Sequence, residues 1–289
     1  MNNHFSDSIM LGAIAGDIAG SIYEFCNIDY CIPPEKLISE TCGYTDDTVM
    51  TCAVAEGLCN ALSKIEDSEI ISSIYDDLIS AELVRALVQN GRKYEKVGYG
   101  PSFYQWIWSD LHSPYNSWGN GSAMRASYAG WVAKTLQEAE HLAMLTAAVT
   151  HNHPEGIKGA IAVAGSIFIL RNNGSKEDII KYIKRFYSID FTLDEIRPSY
   201  TFDVSCQGSV PQAIEAFLEG NNFEDVISKA ISIGGDSDTI AAIAGSIAEA
   251  YYPMLNSTRE KILLKLDNTL KSVLDNAIAF AKKRTNINY

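Results

Sequence analysis

The sequence predicts an all-α fold, one compact multi-helix domain over residues 1–289. Three observations carry this reading. Apolar residues recur at spacings of three and four through long stretches, alanine- and glycine-rich segments lie between them, and alternating apolar and polar runs are scarce. The first pattern marks helices with one buried face, the second marks helices whose axes approach closely, and the third leaves little to build a sheet from. With 289 residues, 47% hydrophobic and 20% charged, the chain can bury a sizeable core and has the composition of a folded globular protein.

The elements follow in chain order. The N-terminal stretch MNNHFSDSIMLGAIAGD has no basic region and meets Asp17 soon after its apolar run begins, so it reads as part of the fold and not as a cleaved signal. Ala13 to Gly20 is the first small-residue helix. From Asp67 onward, Ile70, Ile71, Ile74, Tyr75, Leu78, Leu83, Leu87 and Val88 predict an amphipathic helix. Ile157 to Leu170 is apolar but shorter than the roughly 18 residues of a membrane span, and it carries Lys158. Its centre, Ala160 to Gly165, is a second small-residue segment, and Ala241 to Gly245 is a third. Tyr200 to Val204 alternates, yet it sits between Pro198 and Pro211 and reads as an ordered loop. Ile262, Leu266, Leu270, Leu274 and Ile278 predict one C-terminal helix, with Lys282, Lys283 and Arg284 opposing the negative end of its dipole. The tetrads beginning at Ala19, Ala164 and Ala244 all read Ala-Gly-Ser-Ile, but no fixed period separates them, which suggests convergent packing. No linker divides the chain.

A formal charge of −13 argues against a nucleic-acid partner and against attachment to anionic lipid, leaving a small or cationic partner. Of six cysteines, Cys26, Cys31, Cys42, Cys52 and Cys59 lie early and Cys206 alone, with no CxxC pair. Reduced, mostly buried thiols in a cytoplasmic protein are expected. Nothing specifies an oligomer interface.

Two acidic motifs stand out. Gly43-Tyr44-Thr45-Asp46-Asp47-Thr48 precedes the helical run VMTCAVAEGL, and Gly234-Gly235-Asp236-Ser237-Asp238-Thr239 opens the helix Ile240 to Tyr251. Each alone reads as a helix cap, since Thr and Asp satisfy free N–H groups and favour the positive end of the dipole. If the fold joins the two, four carboxylates crowd together, at about 4 kcal/mol for each like-charged pair in an effective dielectric of 20. Neither motif holds an Arg or Lys to neutralise them, and hard Asp and Thr oxygens are what Mg²⁺ or Mn²⁺ selects. Such a cluster can hold two ions about 3.5–4 Å apart, the arrangement of two-metal hydrolysis. Other helical metal enzymes fit less well. Asp46-Asp47 is followed by Thr48, Val49 and Met50, so no DDxxD stretch exists, and no histidine is followed by aspartate.

With GDIAGSIYEF from Gly16 to Phe25, YTDDTVM from Tyr44, SWGNGSAMR from Ser117 to Arg125, THNHPEG from Thr150 and GGDSDT from Gly234, the chain resembles the ADP-ribosylglycohydrolases. These are all-helical enzymes that include the dinitrogenase-reductase activating glycohydrolase and the serine-ADP-ribosyl hydrolases. The motifs occur in the family's order and span residues 16–239. The resemblance implies metal ligands at Thr45, Asp46, Asp47, Asp236, Asp238 and Thr239, the set already gathered by charge. It adds Glu24, a movable carboxylate near the metals in the serine-specific branch. Glu24 also lies seven residues after Asp17, nearly on one helical face, although a solvent-exposed Glu is the plainer reading.

Pieces that suit ADP-ribose are Gly98-Tyr99-Gly100, Ser117-Trp118-Gly119-Asn120-Gly121 and His151. Glycines admit a diphosphate to backbone N–H groups, and Tyr99 or Trp118 offers a stacking face. Each is also compatible with an ordinary turn, and His151 with His153 is compatible with a capping cluster before Pro154 or a transition-metal pair. The resemblance implies hydrolysis of the bond between the anomeric carbon of ADP-ribose and an acceptor, in a protein or a small-molecule conjugate, with Glu24 and Asp46 as acid/base candidates and two Mg²⁺ or Mn²⁺ as cofactors. GDIAGSIYE is closer to the O-linked, serine-type branch. An arginine-ADP-ribose hydrolase, which would counter an ADP-ribosyltransferase toxin, and a non-catalytic binding or crystallin-like member remain the alternatives.

Overall fold

The computed structural model describes residues 9–26, 28, 30–66 and 71–285, and among them no strand forms. Helices follow in the order α1 (Leu11–Gly20), α2 (Asp46–Leu62), α3 (Asp76–Lys93), α4 (Pro101–Trp108), α5 (Gly121–Met124), α6 (Ser127–Val132), α7 (Leu136–Ala148), α8 (Pro154–Arg171), α9 (Lys176–Ile183), α10 (Leu193–Ile196), α11 (Cys206–Glu219), α12 (Phe223–Ser232), α13 (Ser237–Glu249), α14 (Asn256–Lys265) and α15 (Asn268–Thr285). Their buried apolar residues form one continuous core.

At its centre α1 and α13 are buried along their whole lengths. Small residues make this pair possible. A Cβ on Gly16 would stand 2.0 Å from the carbonyl oxygen of Ala241, and one on Gly12 would stand 2.2 Å from that of Gly245. The sequence pattern of small residues thus becomes backbone contact between two helices. α13 also packs on α11, α12 and α8, so it is held on several sides.

Several expectations need correction. The helix expected from Asp67 begins at Asp76, and Asp67 and Ile70 lie outside the described residues. Ile74 is 81% exposed, so the apolar rhythm there does not mark a buried face. Asp76 and Asp77 open the helix and Arg92 and Lys93 close it, matching the dipole at both ends. The expected C-terminal helix is two helices. Leu266 turns out of α14 with extended backbone, and Asp267 restarts the chain by accepting hydrogen bonds from the N–H groups of Thr269 and Leu270 at 2.7 and 2.9 Å. The apolar spacing runs through the break because Leu266 and Leu270 both reach the core. Arg284 lies in the last turn of α15, where it opposes the dipole as expected, and it is also buried and ion-paired with Glu138 at the start of α7 at 2.5 Å. Cys42, Cys52 and Cys206 are buried, whereas Cys26 and Cys31 are exposed. Burial pushes the Cys52 thiol up to about 12, consistent with a packing role. No described helix is long and apolar enough to cross a membrane.

Candidate active site

The first acidic motif is shaped by a residue from α1. Asp17, fully buried, accepts the N–H of Thr45 at 2.9 Å, the hydroxyl of Thr45 at 2.7 Å, the N–H of Thr48 at 3.0 Å and the hydroxyl of Thr48. Thr45 caps α2 by accepting from the N–H of Asp47. The capping reading therefore holds for Thr45, and it leaves both aspartates free of that duty. Asp46 and Asp47 line a cavity of about 450 Å³ together with Glu24, Asp236, Asp238 and Thr239.

The second motif reaches the same cavity through a turn that only glycine makes easily. Gly234 and Gly235 have φ of 76° and 72°, and a Cβ on Gly235 would meet the Tyr200 ring at 2.4 Å. Asp236 stands at the cap position of α13, but its side chain makes no capping bond. It accepts instead from the Asn120 amide at 2.6 Å. Thr239 donates its hydroxyl to Asp47 at 3.2 Å, which joins the two motifs directly.

Glu24 arrives differently from expectation. α1 ends at Gly20, where the helix meets the backbone of Asp238, so Glu24 is not on a helical face shared with Asp17. It lies in the turns that follow, half-buried, and its carboxylate comes within 4.8 Å of those of Asp236 and Asp238.

Five carboxylates and one arginine, Arg125, line this cavity. The electrostatic consequence is an upward shift in every acid. Burial raises Asp46 to about 7, with the negative charge of Asp17 adding to it. Burial followed by the neighbouring Asp238 raises Asp47 well above the ordinary range. Burial and Asp236 do the same to Asp238, and Glu24 is raised by burial, Asp236 and Asp17. Asp47 Oδ1 is buried and has no hydrogen-bond partner. Crowded hard oxygens with an unsatisfied buried member form a donor set suited to a divalent cation.

The remaining wall comes from three loops. Gly98, Tyr99 and Gly100 precede α4 and line the cavity, anchored by the Asp46 N–H donating to Val97. Ser117, Gly119, Asn120 and Gly121 line it too, pinned by the Asn120 N–H donating to Val204 at 2.7 Å. His151 lines it after α7, while His153 caps α8 by accepting from the N–H of Glu155 at 3.1 Å. The two histidines thus point to different tasks and do not form a metal pair.

Two expected site residues sit outside the lining. Thr45 has its hydroxyl engaged with Asp17 and the Asp47 N–H, and Trp118 is 56% exposed with its ring edge-on to His153. Asn120 lines the cavity, but its amide is occupied by Asp236 and Ser209. Residues not singled out beforehand include Asp17, Arg125, Tyr115, Phe103 and Phe202. Asp17 and Arg125 were visible as the acidic and basic members of the first and third motifs. The aromatic residues carried no local signal.

A family model described as ADP-ribosylglycohydrolase matches residues 8–276. The ADP-ribosylhydrolase ARH3 of Homo sapiens is 26% identical over 321 aligned positions, covering 85% of this chain and 84% of its own. The ADP-ribosylarginine hydrolase Tri1 of Pseudomonas putida is 24% identical, covering 84% of this chain and 69% of its own. A solved ADP-ribosylglycohydrolase-related protein complex superposes with a TM-score of 0.68 at 19% identity, covering 96% of each chain.

Proposed function

The chain belongs to the ADP-ribosylglycohydrolase family and is a glycosidic-bond hydrolase; from that premise we propose that it releases O-linked, serine-type ADP-ribose with the help of two divalent cations, Mg²⁺ or Mn²⁺. The observation that carries the metal reading is the buried, unpartnered Oδ1 of Asp47 in a wall of carboxylates. Asp46, Asp47, Asp236, Asp238 and Thr239 would hold the cations, and Thr45, whose hydroxyl donates to Asp17 and accepts the Asp47 N–H, would join them through the remaining lone pair of that oxygen. When bound, such cations stabilise developing negative charge and lower the pKa of water.

The chain's own residues do the rest. Glu24, half-buried at the cavity edge with its proton held above the ordinary range, is placed to give a proton to the departing acceptor atom or to take one from water. Asp46 is the second candidate for that exchange. Asn120 keeps Asp236 in its rotamer by a 2.6 Å hydrogen bond. Gly98 and Gly100 on one side and Gly119 and Gly121 on the other leave room for a diphosphate, and His151 borders it. Tyr99, packed against Phe103 at 5.5 Å between ring centroids, forms an aromatic floor. Trp118, exposed outside the cavity lining, would offer a stacking face to a nucleobase that projects from the cavity.

The serine preference rests on the GDIAGSIYE motif. The match to an ADP-ribosylarginine hydrolase keeps arginine-linked ADP-ribose as the second reading. Release of ADP-ribose from serine- and arginine-modified peptides, after chelation and after readdition of Mg²⁺, tests both. The proposal expects metal-dependent release from the serine conjugate. Turnover of the arginine conjugate alone would overturn the linkage. Tight binding of ADP-ribose with no release from either conjugate would replace the enzyme by a binding protein.

A further inference from the structure

We infer that Thr150 and Arg125 are positioning residues that hold His151 as a neutral imidazole with its proton on Nε2, so that the ring donates a hydrogen bond into the cavity to an anionic oxygen of the ligand. This deepens the proposed function and rests on it only for the identity of that ligand.

The argument is a count of donors and acceptors. Arg125 is fully buried, and its Nη2 donates to the Thr150 hydroxyl oxygen at 2.6 Å and to the Thr146 carbonyl at 3.2 Å. A guanidinium has no acceptor, so the Thr150 oxygen must accept from it. Thr150 then has one proton to give. Its other neighbour is His151 Nδ1 at 2.7 Å, and among the described residues no other acceptor is bonded to that hydroxyl. Nδ1 therefore accepts, and the proton of a neutral ring resides on Nε2.

The opposite assignment strands a buried hydroxyl. If Nδ1 carried a proton, the Thr150 oxygen would accept from both Arg125 and His151 and its own buried proton would have no partner. The charged ring is disfavoured further. The charged and titratable groups facing it are Arg125 and Tyr115, and burial followed by the Arg125 charge pushes His151 well below its ordinary value. Tyr115, raised by burial to about 12, supplies no negative charge to oppose this.

The Nε2 side is open toward ligand space. It is flanked by Gly119 and Gly121, where an added Cβ would lie 3.5 and 3.3 Å from Nε2. Glycine at these two positions keeps the donor uncovered. Arg125 makes no described ion pair, its Nε has no hydrogen-bond partner, and it lines the same cavity, so its charge favours an anion beside His151. A fixed N–H donor and a buried guanidinium whose Nε has no hydrogen-bond partner together suit a phosphate or diphosphate oxygen.

Long-range proton–nitrogen NMR spectra of the ¹⁵N-labelled protein test this, with the His151 signals assigned by their loss in His151→Gln. The wild type is expected to show a neutral Nε2–H ring from mildly acidic to mildly alkaline buffer. Thr150→Val is expected to move the proton to Nδ1 or give a mixture, and Thr150→Ser to restore the original pattern. A charged or Nδ1–H ring in the wild type would overturn the inference without need of any variant, as would an unchanged tautomer in folded Thr150→Val. Addition of ADP-ribose should shift the Nε2 signal. Hydrolysis without that shift would refute the ligand contact alone, whereas neither hydrolysis nor shift would count against the proposed function itself.

Discussion

Asp17 is the carboxylate on which the first acidic motif hangs, since it satisfies two N–H groups and two hydroxyls at the start of α2. Asp17→Asn keeps the size but replaces one acceptor oxygen with a donor facing those groups. It should destabilise the protein by about 2–4 kcal/mol, read by denaturant unfolding, and weaken Mn²⁺ binding because Asp46 and Asp47 lose their anchor. Glu24→Gln tests a different role. Its position at the half-buried edge predicts a loss of about 10²-fold or more in kcat with metal affinity little changed. Unchanged turnover with intact metal binding would remove Glu24 from the chemistry. At this scale the acidic side chains were legible because hard ligands concentrate in short motifs. The support around them was less so: Asn120 reads as a ligand-binding residue in a glycine loop, but its tie to Asp236 crosses 116 positions of chain.

At the scale of elements, α1 and α13 set the site because each ends beside it. Gly16→Ala would place a methyl group against the Ala241 backbone, where no side chain can move aside. A loss of about 1–3 kcal/mol or more is expected, with a parallel fall in metal affinity as α13 shifts. Differential scanning calorimetry checks the first part, and an unaffected melting temperature would mean that the two helices are not held in this contact. The small-residue segments foretold this packing because the absence of side-chain bulk is itself local. Helix ends were harder. The break at Leu266 keeps the apolar period, and only Asp267 capping the next helix reveals it. Likewise Asp17 and Glu24 share a helical spacing, yet α1 stops between them at Gly20 and turns follow.

Across the whole molecule, the carboxylate cluster opposes folding unless something neutralises it. Asp46, Asp47, Asp236 and Asp238 are all raised from the ordinary 3.8, by burial first. Folded metal-free protein therefore retains protons that the unfolded chain has released. Stability contributed by these groups is fully present below their unfolded value and is lost as pH rises through the folded values, about 7 for Asp46. The melting temperature of chelated protein should fall across this interval. Mn²⁺ should raise it more at alkaline than at acidic pH, by about 2 °C or more, because the cation replaces the missing protons. An equal increment at both pH values would indicate binding elsewhere. The charge argument takes the joining of motifs far apart in sequence as its condition, and the geometry that joins them comes from helix packing that no local pattern encodes.

The most direct measurement is Mn²⁺ binding to chelated wild type and Asp47→Asn, followed by electron paramagnetic resonance, with ADP-ribose release from the serine conjugate assayed on the same samples. The account predicts two ions bound by the wild type, activity that rises with their occupancy, and loss of both binding and release in folded Asp47→Asn. Full activity in wild type free of bound metal, or undiminished Mn²⁺ binding by the variant, would contradict it.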